Sequence, residues 1–225
     1  MTLTRPLPTP SNTVFNSWDR TPFRTRLHDT WGEPSWTPAE TAINGNLVLN
    51  AYGGSHNLDH DDGSEYMDSS RNVVAFAQSC KGNYGSHRRC DGNLILLPGA
   101  HMYNATTGAG GGNCASESDN GKSSTYADKY FTNNTCLQVG KGGVATAYSW
   151  TSCSTAARNF NSTCWGDGGN TFLVDRGTKV VVACGNEKVP LEQWQSQYGR
   201  EQGGHTGVMP ALDEIIAMAE RVLGL

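Results

Sequence analysis

Short apolar runs, each opened by an asparagine, set the pattern of this chain. Leu47-Val48-Leu49 follows Asn46, Val73-Val74-Ala75-Phe76 follows Asn72, Leu94-Ile95-Leu96-Leu97 follows Asn93, and Thr135-Cys136-Leu137-Gln138-Val139 follows Asn134. Thr171-Phe172-Leu173-Val174 after Asn170 is a fifth, less regular member. Runs this short, flanked by turn residues, read as buried strands rather than helices. The first two intervals are 26 and 21 residues, and the third, 41, is close to two such periods. Repetition at roughly 20 to 30 residues from strands and turns means a solenoid. The period is too short for propeller blades, and the spaced leucines of leucine-rich repeats are missing. The expected fold is all-β: a short right-handed parallel β-helix with three strands per coil and apolar residues inward. Asparagine is expected at a turn, in left-handed geometry, stacked on the next asparagine.

Three segments follow from this pattern. Residues 1–45 carry prolines at 6, 8, 10, 22, 34 and 38 and tryptophans at 18, 31 and 36. Prolines so frequent exclude a long helix or a central strand. The segment is expected to lie extended along the body. Residues 46–190 form the coils, interrupted by polar loops near 99–125 and 149–169. The last strand signals are Thr171–Asp175 and Lys179–Cys184. Residues 191–225 are a helical cap: a short turn over Leu191–Tyr198, then an amphipathic helix over Pro210–Leu223. Leu212, Ile215, Ile216, Ala219, Val222 and Leu223 share its apolar face, and Gly224 ends it. That helix is expected to cover the open end of the solenoid, whose bare edge invites aggregation.

Composition agrees with a turn-rich β protein: 27 glycines, 36% apolar residues and a mean hydropathy of -0.51. A net charge of -4 and a pI near 5.8, without a basic stripe, argue against nucleic acid as the main partner. No apolar run reaches the roughly 18 residues that span a bilayer. Met1–Pro10 has no apolar core of a secretory signal. The seven cysteines, at 80, 90, 114, 136, 153, 164 and 184, include no CxxC pair, which argues against zinc. Two or three disulfides are expected, with Cys80/Cys90 and Cys153/Cys164 each bracketing a loop, in an oxidising compartment. Together these lead to the expectation of a chain outside the cell or on its surface, and of a piece of a longer protein. Seven reduced, buried thiols are the alternative.

One cluster carries candidate chemistry. Asp59, His60, Asp61 and Asp62 fall within the block His56–Ser64, between two apolar runs. Charge so close to strands must face water, bind a cation or react. With Leu58 inward, strand alternation puts Asp59 and Asp61 on one face, about 7 Å apart. At about 22 residues per coil, Lys81 falls beside them on the next coil. His87, Arg88 and Arg89 follow on the Cys80–Cys90 loop and are expected to close over the same face.

Several segments resemble a known family. They are Trp18-Asp19-Arg20-Thr21-Pro22-Phe23, Gly45-Asn46-Leu47-Val48-Leu49-Asn50, Leu58-Asp59-His60-Asp61-Asp62-Gly63-Ser64, Asn72-Val73-Val74-Ala75-Phe76, Cys80-Lys81-Gly82 and Leu191-Glu192-Gln193-Trp194-Gln195. Discontinuously over about 18–198, the chain resembles the right-handed parallel β-helix proteins of the pectate-lyase-like superfamily. The likeness is greatest to secreted or surface β-helix proteins of algae and other microbes. It implies a polysaccharide partner, but the superfamily holds glycosidases, lyases, epimerases and non-catalytic proteins, so the reaction stays open.

Three readings of the acidic block compete. In a glycoside hydrolase-like module, Asp59, Asp61 and Asp62 supply acid and base or nucleophile. Lys81 then tunes one carboxylate, and His60, His87 and Arg88 hold the sugar; no cofactor is needed. In a lyase, the carboxylates hold Ca²⁺ while Lys81 or Arg88 abstracts a proton from a uronic acid. In the third, the aspartates only form turns and a polar ladder, and the protein binds carbohydrate or serves as a surface scaffold. Nothing in the sequence fixes the oligomeric state.

Overall fold

The structure, a computed structural model, describes residues 41–49, 58–60, 66–76, 80–83, 87–98, 112–118, 129–150 and 165–225. These are mostly β, as the apolar pattern predicts, and their strands run in parallel sheets. Five successive triplets of strands form five tiers. The first is β1 (Thr41–Ala42), β2 (Leu47–Leu49) and β3 (Leu58–His60), and the second β4 (Met67–Ser70), β5 (Val73–Ala75) and β6 (Cys80–Asn83). The third is β7 (Arg88–Asp91), β8 (Leu94–Leu96) and β9 (Asn113–Ser118), and the fourth β10 (Lys129–Thr132), β11 (Thr135–Gln138) and β12 (Val144–Trp150). The fifth is β13 (Trp165–Gly168), β14 (Thr171–Val174) and β15 (Lys179–Cys184).

Each strand hydrogen-bonds in parallel to the strand three places on. The first sheet is therefore β1-β4-β7-β10-β13, and the middle sheet runs from β2 through β5, β8, β11 and β14. The third runs from β3 through β6, β9, β12 and β15. Two further strands, β16 (Glu187–Pro190) and β17 (His205–Val208), lie beyond the last signals read from the sequence. β17 extends the middle sheet in parallel, whereas β16 folds back antiparallel on β15. Neither carries a run of apolar residues, so local pattern could not reveal them. The same holds for β9 and β13, which lie inside the spans expected to be loops; β9 is a strand because Cys114 and Ala115 turn into the core.

The asparagines form a continuous ladder. The backbone N–H and the Nδ2–H of Asn46 both donate to Asn72 Oδ1, at 3.0 and 3.1 Å. Asn72 donates in the same way to Asn93, Asn93 to Asn134, and Asn134 to Asn170. The ladder ends on Glu201, a fully buried carboxylate. Its Oε1 accepts from the Asn170 backbone N–H and Nδ2–H, and its Oε2 from Asn170 Nδ2 and the Tyr148 hydroxyl. Burying these amides and this carboxylate is tolerable because their polar atoms are satisfied by one another.

The expected left-handed geometry falls one residue earlier. Gly45, Arg71, Gly92, Asn133 and Gly169, each just before a ladder asparagine, have φ between +54° and +69°. The chain turns there, and none of the five ladder asparagines itself has a positive φ.

Alternation then fills the interior. Val48, Val74, Ile95, Cys136 and Phe172 occupy one register row of the middle sheet, and Leu58, Cys80, Ala115, Tyr148 and Val182 one row of the third. Ser69, Cys90 and Phe131 do so in the first. Apart from half-buried Val48, all are buried. Disulfides Cys80–Cys90 and Cys114–Cys136 cross between sheets. Cys184 is disulfide-bonded too. Cys153 and Cys164, expected to pair, lie outside the described residues, as do residues 1–40.

Helix α1 (Leu191–Tyr198) follows Pro190, buries Leu191 and Trp194 in the main core, and stops at Gly199 in left-handed geometry. Helix α2 (Leu212–Leu223) lies elsewhere than expected. Ile215, Met218, Ala219, Val222 and Leu223 pack on Val73, Leu94 and Leu137, the outer side of the middle sheet. It shields a flank, and α1 with its tryptophan seals the core. Leu212 and Ile216, assigned to the apolar face of α2, are exposed.

Candidate functional site

The residues singled out from the sequence divide between two sheets. Asp59 and His60 are in β3 and Lys81 is in β6, so they belong to the third sheet. The backbone register sets Asp59 opposite Lys81 and His60 opposite Gly82. Continuing across the sheet, Lys81 faces Ser116 and Ser116 faces Ser149. This row alternates with the buried row that begins at Leu58 and Cys80. Asp61 and Asp62 lie outside the described residues.

His87 and Arg88 do not join that row. They begin the next strand of the first sheet, after the corner where the chain leaves the third. His87, with φ +53°, stacks on Tyr66, which has φ +56° at the same corner one tier earlier. The ring centroids are 4.5 Å apart and the planes 12° from parallel. Arg88 shares the inward alternation of Cys90 and is buried, so it does not close over a solvent-facing acidic surface.

The first sheet presents a second polar constellation. Its outward rows are Asp68, Arg89, Tyr130 and Gly166, then Asp91, Thr132 and Gly168, while Ser70 in register with Asp91 is buried. These alternate with the buried Ser69, Cys90 and Phe131, which is why strands of so little hydrophobicity hold their place. Asp91 Oδ1 accepts from Thr132 Oγ1 at 2.5 Å and from Asn133 Nδ2 at 2.9 Å. Asp68 accepts from the Ser70 hydroxyl and, at 3.4 Å, from Asn44 Nδ2. Arg89 is exposed, and the Tyr130 ring is 40% exposed. The register place beside Tyr130 on β13 is Gly166, which carries no side chain.

The face therefore offers fixed acceptors, a guanidinium, and an aromatic ring in register with a glycine. Sequence reading by apolar runs missed it. Aligning the chain on the ladder asparagines reveals it: Asp68, Arg89, Tyr130 and Gly166 each stand four residues before one, and Asp91, Thr132 and Gly168 two.

Among the described residues no group of three or more His, Cys, Asp or Glu is placed to hold a metal ion. No described helix is long and apolar enough to cross a membrane. Two disulfides point to an oxidising environment. Comparison with protein-family models, curated proteins and solved structures finds no match.

Proposed function

We propose that this chain is a right-handed parallel β-helix module, outside the cell or on its surface, that binds an extended polysaccharide along the outer face of its first sheet. The observation that carries this reading is the exposed Tyr130 ring beside the side-chain-free Gly166 place, with Arg89 and the carboxylates of Asp68 and Asp91 in neighbouring register. Sugars stack their C–H faces on aromatic rings and exchange hydrogen bonds with carboxylate and guanidinium groups, which have no apolar competitor here. Strands about 4.8 Å apart give a flat, repeating surface suited to a chain rather than to one small molecule. Tyr130→Ala should weaken binding to a responsive glycan from a neutral and acidic polysaccharide panel about tenfold, ~1.4 kcal/mol, by calorimetry. Unchanged affinity in that variant would remove the assignment of this face.

The in-register pair Asp59 and Lys81 favours a second reading, glycoside hydrolysis at the third sheet with Asp61 or Asp62 as the partner carboxylate. An ammonium one strand from Asp59 would favour its ionised form and so separate the two carboxyl roles. Reducing-sugar release by the native chain, abolished in Asp59→Asn and in Asp61→Asn while Tyr130-dependent binding persists, is the expected result for an enzyme. Equal release by all three proteins eliminates it.

A further inference from the structure

Asn133-Asn134-Thr135 has the Asn-X-Thr spacing of an N-glycosylation acceptor, with no proline at the middle place. The same spacing recurs at Asn104 and Asn161, which lie outside the described residues. Such triplets also arise by chance, so geometry has to distinguish this one. The ladder uses Asn134, which is buried, and leaves Asn133 at the corner where the chain passes from the first sheet to the middle one. Asn133 is exposed there, at φ +54°. The other residues that precede a ladder asparagine are Gly45, Arg71, Gly92 and Gly169, so this corner alone carries a side-chain amide. Its Nδ2 reaches back one tier and donates to Asp91 Oδ1 at 2.9 Å. Its Oδ1 lies over Gly169 of the next tier, where an added Cβ would come within 2.6 Å of it. Thr135, the third residue of the triplet, opens β11 and is half-buried.

We propose that Asn133 accepts an N-linked oligosaccharide as the chain passes through an oxidising secretory compartment. The Nδ2 nitrogen bonds to the anomeric carbon of a lipid-linked oligosaccharyl diphosphate. The bond from that carbon to the diphosphate oxygen breaks, the lipid diphosphate leaves, and one Nδ2 proton passes to a base. One Nδ2 hydrogen remains, enough for the single bond to Asp91. Asn134, and not Asn133, holds the ladder, so the stack keeps its hydrogen bonds whether or not the sugar is attached. The sugar is rooted three residues after Tyr130 and next to Thr132, at the border of the outer face of the first sheet. The inference rests on the placement outside the cell proposed above, and not on polysaccharide binding.

The full chain, sent by an added signal segment through the secretory pathway of cultured eukaryotic cells, tests this. Enzymatic release of N-glycans in heavy-oxygen water turns a modified asparagine into labelled aspartate, which peptide mass spectrometry locates. The expected result is label at Asn133 in the native chain and in Thr135→Ser, and its loss in Thr135→Val and in Asn133→Gly. Three of the other four corners carry glycine, so Asn133→Gly keeps the left-handed turn. A secreted chain without label at Asn133 overturns the proposal, even where Asn104 or Asn161 is labelled. Label at Asn133 that persists in Thr135→Val marks spontaneous deamidation and overturns it too. A chain retained in the cell with Cys114 and Cys136 reduced fails the placement itself, and the proposal with it.

Discussion

A single ladder residue holds several hydrogen bonds at once. Asn93, buried, donates to Ser69 O at 2.8 Å and to Asn134, and accepts both donors of Asn72. Asn93→Ala strands these partners where water cannot replace them. It should cost about 3 kcal/mol in urea-induced unfolding, against well under half that for a surface asparagine. Asp175 works on a smaller scale. The backbone N–H of Gly140, at 2.7 Å, lowers its carboxyl below the usual value, and the Thr178 hydroxyl adds to the effect. A depressed folded-state pKa stabilises above the unfolded value and is lost as pH falls through the folded one. The Asp175 carboxyl should therefore titrate below 3.8 by carbon NMR. Asp175→Asn should flatten the acid limb of the melting curve between that midpoint and 3.8, and an ordinary titration would refute the Gly140 contact. The left-handed residues were misplaced by one at sequence level, because asparagine tolerates that geometry and heads every run, whereas glycine, arginine and asparagine share the place before it.

Elements were legible where burial is one-sided and strong. All five asparagine-headed runs are strands, and the C-terminal helix starts within two residues of its expected position. Its N-terminal turn begins after Ala211, whose N–H donates to Glu214 at 3.3 Å, and Gly224 ends it at φ +72°. Which side of the protein it covers was not legible, since periodicity describes a face and not its partner. Ile215→Ala should cost about 1.5 kcal/mol because that side chain lies on the middle sheet, whereas Leu212→Ala should change stability by less than about 0.5 kcal/mol. Equal effects in chemical denaturation would place the helix elsewhere. β9, β13, β16 and β17 escaped notice because none carries a run of apolar residues, so pairing with neighbouring strands decides their place.

For the molecule as a whole, non-local pairing dominates, and the two disulfides tie successive tiers. Cys114–Cys136 closes a loop with a separation of 22 residues and joins the third sheet to the middle one. The double variant Cys114→Ala, Cys136→Ala should lose about 3 kcal/mol by equilibrium denaturation, less whatever the repacked interior regains. A loss below about 1 kcal/mol would mean that the ladder and core already restrict the chain as much as the crosslink does. The same stacking creates both candidate faces, because outward residues from tiers 21 to 41 residues apart come into adjacent register.

By itself, the sequence determined that this is a β protein built on repeated asparagine-headed strands, with a terminal helix, because burial period and turn chemistry are local properties. It also determined that Asp59 and Lys81 sit about one repeat apart. Only the tertiary structure decided that Arg88 is buried, that His87 stacks on Tyr66, and that Asp68, Arg89, Asp91 and Tyr130 share a surface. Connections between tiers differ in length, so the register that brings side chains together is set by hydrogen bonds between tiers and not by spacing along the chain.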